Sequence, residues 1–199
     1  SYSGLLQANE ASFGQRAIPS YHFDQAKVVV SFGADFLGTW LSPVEFSKQY
    51  AAGKKIDEKN PSMSKHIHFE TVASLTGSNA DEKYLHRPSE TGAIAAALLS
   101  AVSGQGVTGI SDAKLKAGIE KAAKSLNEHK GAALVVAGSN DVNIQIIVNA
   151  INNAIGAGGS VLCGQSAAGV FEHLVCEICR DDGAGDRAGG VGAWHHDLR

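Results

Sequence analysis

Two short runs constrain this chain more than anything else in it. "AKVVVSF" at residues 26–32 and "AALVVAG" at residues 132–138 are dominated by apolar residues, with no alternation of apolar and polar positions. A strand with a solvent face alternates apolar and polar residues; one without alternation must be covered on both sides. Helical patterns lie between and after them. This order implies a three-layer α/β fold, a mainly parallel sheet with helices on both faces. The expected strands are residues 27–32, 66–73 and 132–137. Helices are expected to begin near Ser42, Ser89, Ser111 and Asp141. The right-handed crossover rule then places helices on both faces.

The helix starts are read from capping chemistry. Ser42 is the expected N-cap of the first helix, with Pro43 at its first position and Glu45 closing a capping box. That helix should end near Ala52. "KHIHFETVA" reads as the second strand, followed by a loop over residues 74–88. Ser89 is expected to cap a helix through Val102, stopped by Gly104 and Gly106. Ser111 is expected to cap another over residues 112–129. Asn140 or Asp141 caps the last, with Gly156 just past its end.

With 199 residues the chain can build one or two small domains with a real core. Hydrophobic residues at 44% and charged residues at 19% are globular composition. A formal net charge of −3 gives no basic footprint for nucleic acid. No apolar run is long enough to cross a bilayer. The opening "SYSGLLQANEASFGQRA" has no initiator Met, so a processed product or a fragment is expected, and localisation is not legible there.

Two strand ends look alike. "VVVSFGAD" and "LVVAGSND" each place a Gly just past an apolar strand, with an acidic residue after it. In parallel sheets ligands sit beyond the carboxyl ends of the strands. One reading is a nucleotide or phosphate site. The plainer reading, favoured from the turns alone, is that such turns need Gly and their helices need caps. Neither end carries GxGxxG or a P-loop.

A longer set of motifs is more specific. Gly33-Ala34-Asp35 follows the first strand, Ala80-Asp81 follows the second, and "LHRPSETGAI" leads into the next helix. The set resembles the molybdopterin oxidoreductases of the dimethyl-sulfoxide-reductase type. "SFGADFLGTWLSPVEFSKQYA", "SLTGSNADEKYLHRPSE" and "SYSGLLQANEASFGQRAIPSYHFDQA" are similar to one branch, the large iron–sulfur subunit of bacterial alternative complex III. The likeness spans residues 1–159. It implies a molybdopterin oxidoreductase-like, Rossmann-like domain in a quinol:electron acceptor oxidoreductase, membrane-associated on the periplasmic face. It also implies partner subunits of a respiratory complex, no membrane span in this chain, and iron–sulfur clusters carried by a remainder of the subunit.

The departures shape that expectation. The family has Gly-Thr-Asp after the proline; this chain has Ser89-Glu90-Thr91. Ser in place of Gly restricts close backbone approach, and the carboxylate moves one position. Gly33, Asp35, Thr76, Asp81, Arg87 and Ser89 are therefore expected as vestigial loop positions that hold no cofactor. Under this reading the chain is a cofactor-less scaffold, not catalytic by itself. One alternative is a fragment binding molybdopterin-guanine dinucleotide at residues 33–35 and 76–89. Another is a generic Rossmann-like nucleotide-binding domain.

The remaining chemistry-bearing residues receive plainer readings. Cys163, Cys176 and Cys179 are the only cysteines, one short of a cubane cluster. A zinc set completed by His173 or His195 is disfavoured because no second ligand pair exists. Residues 160–199 lose all periodicity and are expected to be an irregular tail, translated out of frame. His66, His68 and Glu70 share one strand face; a solvent- or partner-facing polar face is expected there rather than a metal face. Trp40 and Tyr50 are expected as packing anchors, and the lysines of "GIEKAAKSLNEHKG" as a solvated helix face. No Ser-His-acid set is discernible; Ser42, Ser74 and Ser89 read as caps or turns.

Overall fold

The structure is a computed structural model describing residues 2–56 and 61–163. Its centre is a four-stranded, wholly parallel sheet. The strands are β2 (Val28–Phe32), β3 (Lys65–Glu70), β4 (Glu82–Leu85) and β5 (Ala133–Ala137), in the order β4-β3-β2-β5. A separate antiparallel pair joins β1 (Ser20–Tyr21) to β6 (Leu162–Cys163). The helices are α1 (Ser3–Phe13), α2 (Pro43–Lys54), α3 (Leu75–Ser78), α4 (Thr91–Val102), α5 (Ala113–Glu128) and α6 (Val142–Ala154).

Every residue of β2 and β5 is buried, as expected of strands rich in apolar residues without alternation, and Ser31 of β2 is buried with them. The helices cover both sheet faces, giving the expected three layers. Tyr50 of α2 reaches His66 on one face. On the other, Gly118 of α5 lies against the Tyr84 ring, and α4 packs on α5 and α6. Tyr21, Phe23, Phe36, Trp40, Phe46 and Tyr50 form an aromatic cluster on the α2 side, with Phe23 and Phe36 stacked at 4.4 Å. Trp40 and Tyr50 are thus buried packing residues. The lysines of α5 are exposed, as expected of a solvated face.

Several local expectations need correction. β3 stops at Glu70 rather than at residue 73. Residues 74–88 are not one loop; they hold α3 and the edge strand β4. The capping box of α2 does not form. Ser42 makes no side-chain cap bond, and the Glu45 carboxylate instead accepts from Gln49 Nε2 at 3.2 Å. Ser89 is not an N-cap: Pro88–Glu90 is a 3-10 turn in which Glu90 accepts the Arg87 N–H at 2.8 Å. Asp112, not Ser111, caps α5, its carboxylate accepting from Lys114 and Leu115 N–H. Asp141 caps α6 as expected, and Gly156 follows its end with φ 68°.

The β5 side of the sheet is finished by a helix. Asn152 of α6 accepts the Val135 N–H at 2.9 Å and donates to the Val135 carbonyl at 2.8 Å. Gln145, two turns earlier, donates to the Ala137 carbonyl at 2.9 Å. Asn149 on the same stripe donates to Asn9 of α1 at 2.9 Å. The expected tail falls almost wholly on residues 164–199, outside the described residues, and so do Cys176, Cys179, His173 and His195.

Candidate functional site

The two look-alike strand ends lie side by side, because β2 and β5 are neighbours. β3 and β4 lie to one side of β2, and β5 to the other. The reversal of strand order at the β2–β5 boundary marks the place where ligands bind in open α/β sheets.

The chain's own residues fill that place. A Cβ on Gly138 would lie 2.4 Å from the Gly33 carbonyl oxygen and 2.9 Å from Ala34 Cα. Only a glycine lets the two turns meet this closely. The start of α1 lies over the β5 turn. Gly4 N–H donates to Asn140 Oδ1 at 2.9 Å, and Asn140 Nδ2 donates to Ser3 Oγ at 3.3 Å. Tyr2 Oη accepts the N–H of Leu41 at 2.9 Å.

The predicted loop residues separate into groups. Gly33 has φ 57° and donates its N–H to the Phe69 carbonyl at 2.8 Å. Asp35 and Thr76 meet directly. Asp35 Oδ1 accepts from the Thr76 N–H at 3.1 Å and from its hydroxyl at 2.9 Å. The Leu37 N–H closes the clasp onto Thr76 Oγ1 at 3.0 Å. Asp81 stands at the opposite, amino-terminal end of β4. It pairs with Lys54 Nζ at 2.5 Å and accepts the His66 N–H at 2.6 Å. Burial opposes its ionisation, but the lysine and the amide prevail and its pKa falls below the usual value. Arg87 and Ser89 are exposed, two strand-widths or about 10 Å from β2.

The face carrying His66, His68 and Glu70 is neither solvent-facing nor open; the three are 0–1% exposed. Ser31 of β2 sits between the two imidazoles. Its Oγ lies 2.8 Å from His66 Nε2 and 2.5 Å from His68 Nδ1. The outer nitrogens are engaged too. His66 Nδ1 is 3.1 Å from the Tyr50 hydroxyl, and His68 Nε2 is 3.2 Å from Glu70 Oε2. Glu70 Oε2 also accepts the Ser74 N–H at 3.1 Å and its hydroxyl at 2.8 Å. Glu70 Oε1 makes no directed hydrogen bond, but Lys83 Nζ approaches it to 3.4 Å as an ion pair.

A Ser–His–acid sequence of contacts therefore exists, where none was discernible in the sequence. It is not a hydrolytic triad, because Ser31 is sealed beneath α2 and no substrate carbonyl reaches its oxygen. Both imidazoles are held neutral. Burial first, then the neighbouring His68 and Lys54, lowers His66 to about 3. Burial lowers His68 below its usual value, against the pull of Glu70. Among the described residues no three His, Cys, Asp or Glu side chains are placed to hold a metal ion. None of the described helices is long and apolar enough to cross a membrane. The alternation of "KHIHFE" shows that the three polar residues share a face, but Ser31 joins them only through the β2–β3 register, which pairs it with His68.

No protein-family model matches this chain, and no curated protein matches it.

Proposed function

We propose that this chain is a scaffold domain that retains the shape of a cofactor-binding loop and uses the loop's polar groups to hold itself together. The reading rests on one observation above all. The Thr76 N–H and hydroxyl, which lie at the end of a strand where a ligand would take them, are both given to Asp35. The packing of Gly138 on Gly33 supports the same reading, since a pyrophosphate needs that space. A pterin-guanine dinucleotide does not fit these residues as they stand, so no step of chemistry is assigned to one.

The resemblance of residues 1–159 supplies the setting. In this proposal the domain belongs to an iron–sulfur subunit of a membrane-attached quinol oxidoreductase of the alternative complex III type. Its partners are the other subunits, and the clusters lie elsewhere in the subunit. Val72, Leu75 and Leu85 are exposed apolar residues on the carboxyl side of β3 and β4, the kind of surface a neighbouring subunit covers.

The strand order is the observation that favours the alternative reading as a nucleotide-binding domain, because it creates a switch point. Calorimetric titration with a guanine dinucleotide separates the two. The scaffold reading expects no saturable heat. Binding in the micromolar range, about −8 kcal/mol, overturns it. Metal analysis of the purified whole subunit is the second test: stoichiometric molybdenum or tungsten rejects the scaffold reading.

A further inference from the structure

The Tyr50 hydroxyl has one hydrogen and two acceptors. The Asn79 carbonyl lies 2.9 Å from it, and His66 Nδ1 lies 3.1 Å from it. Whichever acceptor takes the hydrogen fixes every other hydrogen along the buried chain, because each ring nitrogen either donates or accepts and each hydroxyl has one hydrogen to give. With both imidazoles neutral and Glu70 Oε2 an acceptor, His68 donates from Nε2 to Glu70 and accepts at Nδ1 from Ser31. Ser31 in turn accepts from His66 Nε2–H, and His66 Nδ1 accepts from Tyr50. The Asn79 carbonyl then receives no hydrogen from Tyr50.

One added proton reverses the whole row. The incoming proton binds the Tyr50 oxygen as its old hydrogen moves to His66 Nδ1. The His66 Nε2 hydrogen moves to Ser31, and the Ser31 hydrogen moves to His68 Nδ1. Three O–H or N–H bonds break and three form along the row, with the fourth new bond made to the incoming proton. The charge comes to rest on His68, and the new Tyr50 hydrogen points at Asn79.

We propose that Tyr50, His66, Ser31, His68 and Glu70 form a one-proton switch that couples the protonation of buried His68 to the anchoring of residues 74–79. Both ends of the row hold that segment. Tyr50 touches Asn79, and Glu70 accepts twice from Ser74. Gly77 packs so closely on Glu70 that a Cβ there would lie 2.3 Å from Oε2. The surrounding charges place the proton. Lys54 of α2 and Asp81 before β4 flank His66, and the Phe36 ring packs on it at 5.4 Å. Glu70, Asp35 and Lys83 surround His68, and the two carboxylates favour a cation there. Burial moves the transition to the acid side of ordinary imidazole titration. The acid form latches Asn79 to Tyr50; the neutral form releases it.

Long-range 15N–1H spectra of the ring nitrogens in the full chain test this. At pH 7 both rings carry hydrogen on Nε2. On acidification His68 gains its second hydrogen, and at the same midpoint His66 moves its hydrogen to Nδ1. The Ser74 and Asn79 amide resonances follow that midpoint. Glu70→Gln lowers the midpoint by a pH unit or more, a tenfold loss of proton affinity. In Ser31→Ala, His68 titrates while His66 and Asn79 stay still. The proposal falls if His66 keeps its tautomer through the His68 transition, or if His66 takes the charge first. It falls equally if the loop amides do not respond. Should Ser31→Ala fail to fold, the wild-type and Glu70→Gln titrations decide alone.

Discussion

Phe32, Phe69 and Tyr84 occupy one register row across β2, β3 and β4; Ser31, His68 and Lys83 occupy the row before it. The first row faces α5, and its rings stack at 5.3 Å twice over. The second faces α2: Ser31 is hydrogen-bonded to His68, and Lys83 pairs with Glu70, two residues further along β3. The rows are one residue apart on the same backbone. The ring row is held by volume, which tolerates any filler of the right shape. The polar row is held by completeness, since each buried donor or acceptor left without a partner costs its full desolvation. One face of the sheet is held by ring packing and the other by buried hydrogen bonds.

Substitutions separate the two rows. Phe69→Ala removes the central ring of the apolar row and should cost about 3–5 kcal/mol in urea unfolding. A loss below about 1 kcal/mol would show that the ring row is not what fixes that face. Acid should act on the polar row through its imidazoles. His66 has its pKa lowered from 6.5 to about 3 by burial. A base depressed in this way contributes stability that is whole above pH 6.5 and is lost as pH falls toward 3, because the unfolded chain binds the proton first. Urea midpoints measured across that range should fall with acid, and the His66 share of the slope should vanish in His66→Asn.

Ser31→Ala leaves one imidazole donor and one acceptor facing an empty place. The expected cost is about 1–3 kcal/mol by denaturation. A smaller effect would mean that the polar row is not bound by completeness. At the margin of the ring row, Glu82 accepts from Tyr84 at 2.7 Å and pairs with Lys65 at 3.0 Å and Lys121 at 3.2 Å. The Tyr84 hydroxyl first, then the lysines against burial, hold its pKa down at about 2. Lys121→Ala should nevertheless change stability by under about 0.5 kcal/mol, since that lysine is mostly exposed.

The ring row and the polar row were unequally legible. β2 and β5 are plain in the sequence because a run such as "VVV" has one physical solution. β4 is hidden because it is a sheet edge. Of "EKYL" only Tyr84 is buried, so no periodicity marks it among turn-forming neighbours. α1 escapes for a related reason: its buried residues, Gly4, Leu5, Ala8 and Asn9, include two that carry no apolar signal. Adjacent cap residues decided the start of α5. Ser111 and Asp112 are both good caps, and only the backbone turn selects the carboxylate. In the candidate site, Asp35 and Thr76 were singled out from motif wording and do meet, 41 positions apart. Asp81 was singled out the same way and lies at the far end of its strand. The Ser31 bridge was out of reach, since it depends on strand register rather than on any local pattern.

The Asn152 amide has a consequence for growth. A sheet lengthens sideways as a filament does, by presenting a free N–H and a free C=O at matched positions to the next strand. On β5 the central pair of such groups belongs to Val135, and one side chain has taken both. The amide is in effect a chain terminator. A newcomer strand, from this polypeptide or another, must evict Asn152 before it can dock there. Lateral accretion is blocked on that side, and among the described residues β4 is the sheet's other edge.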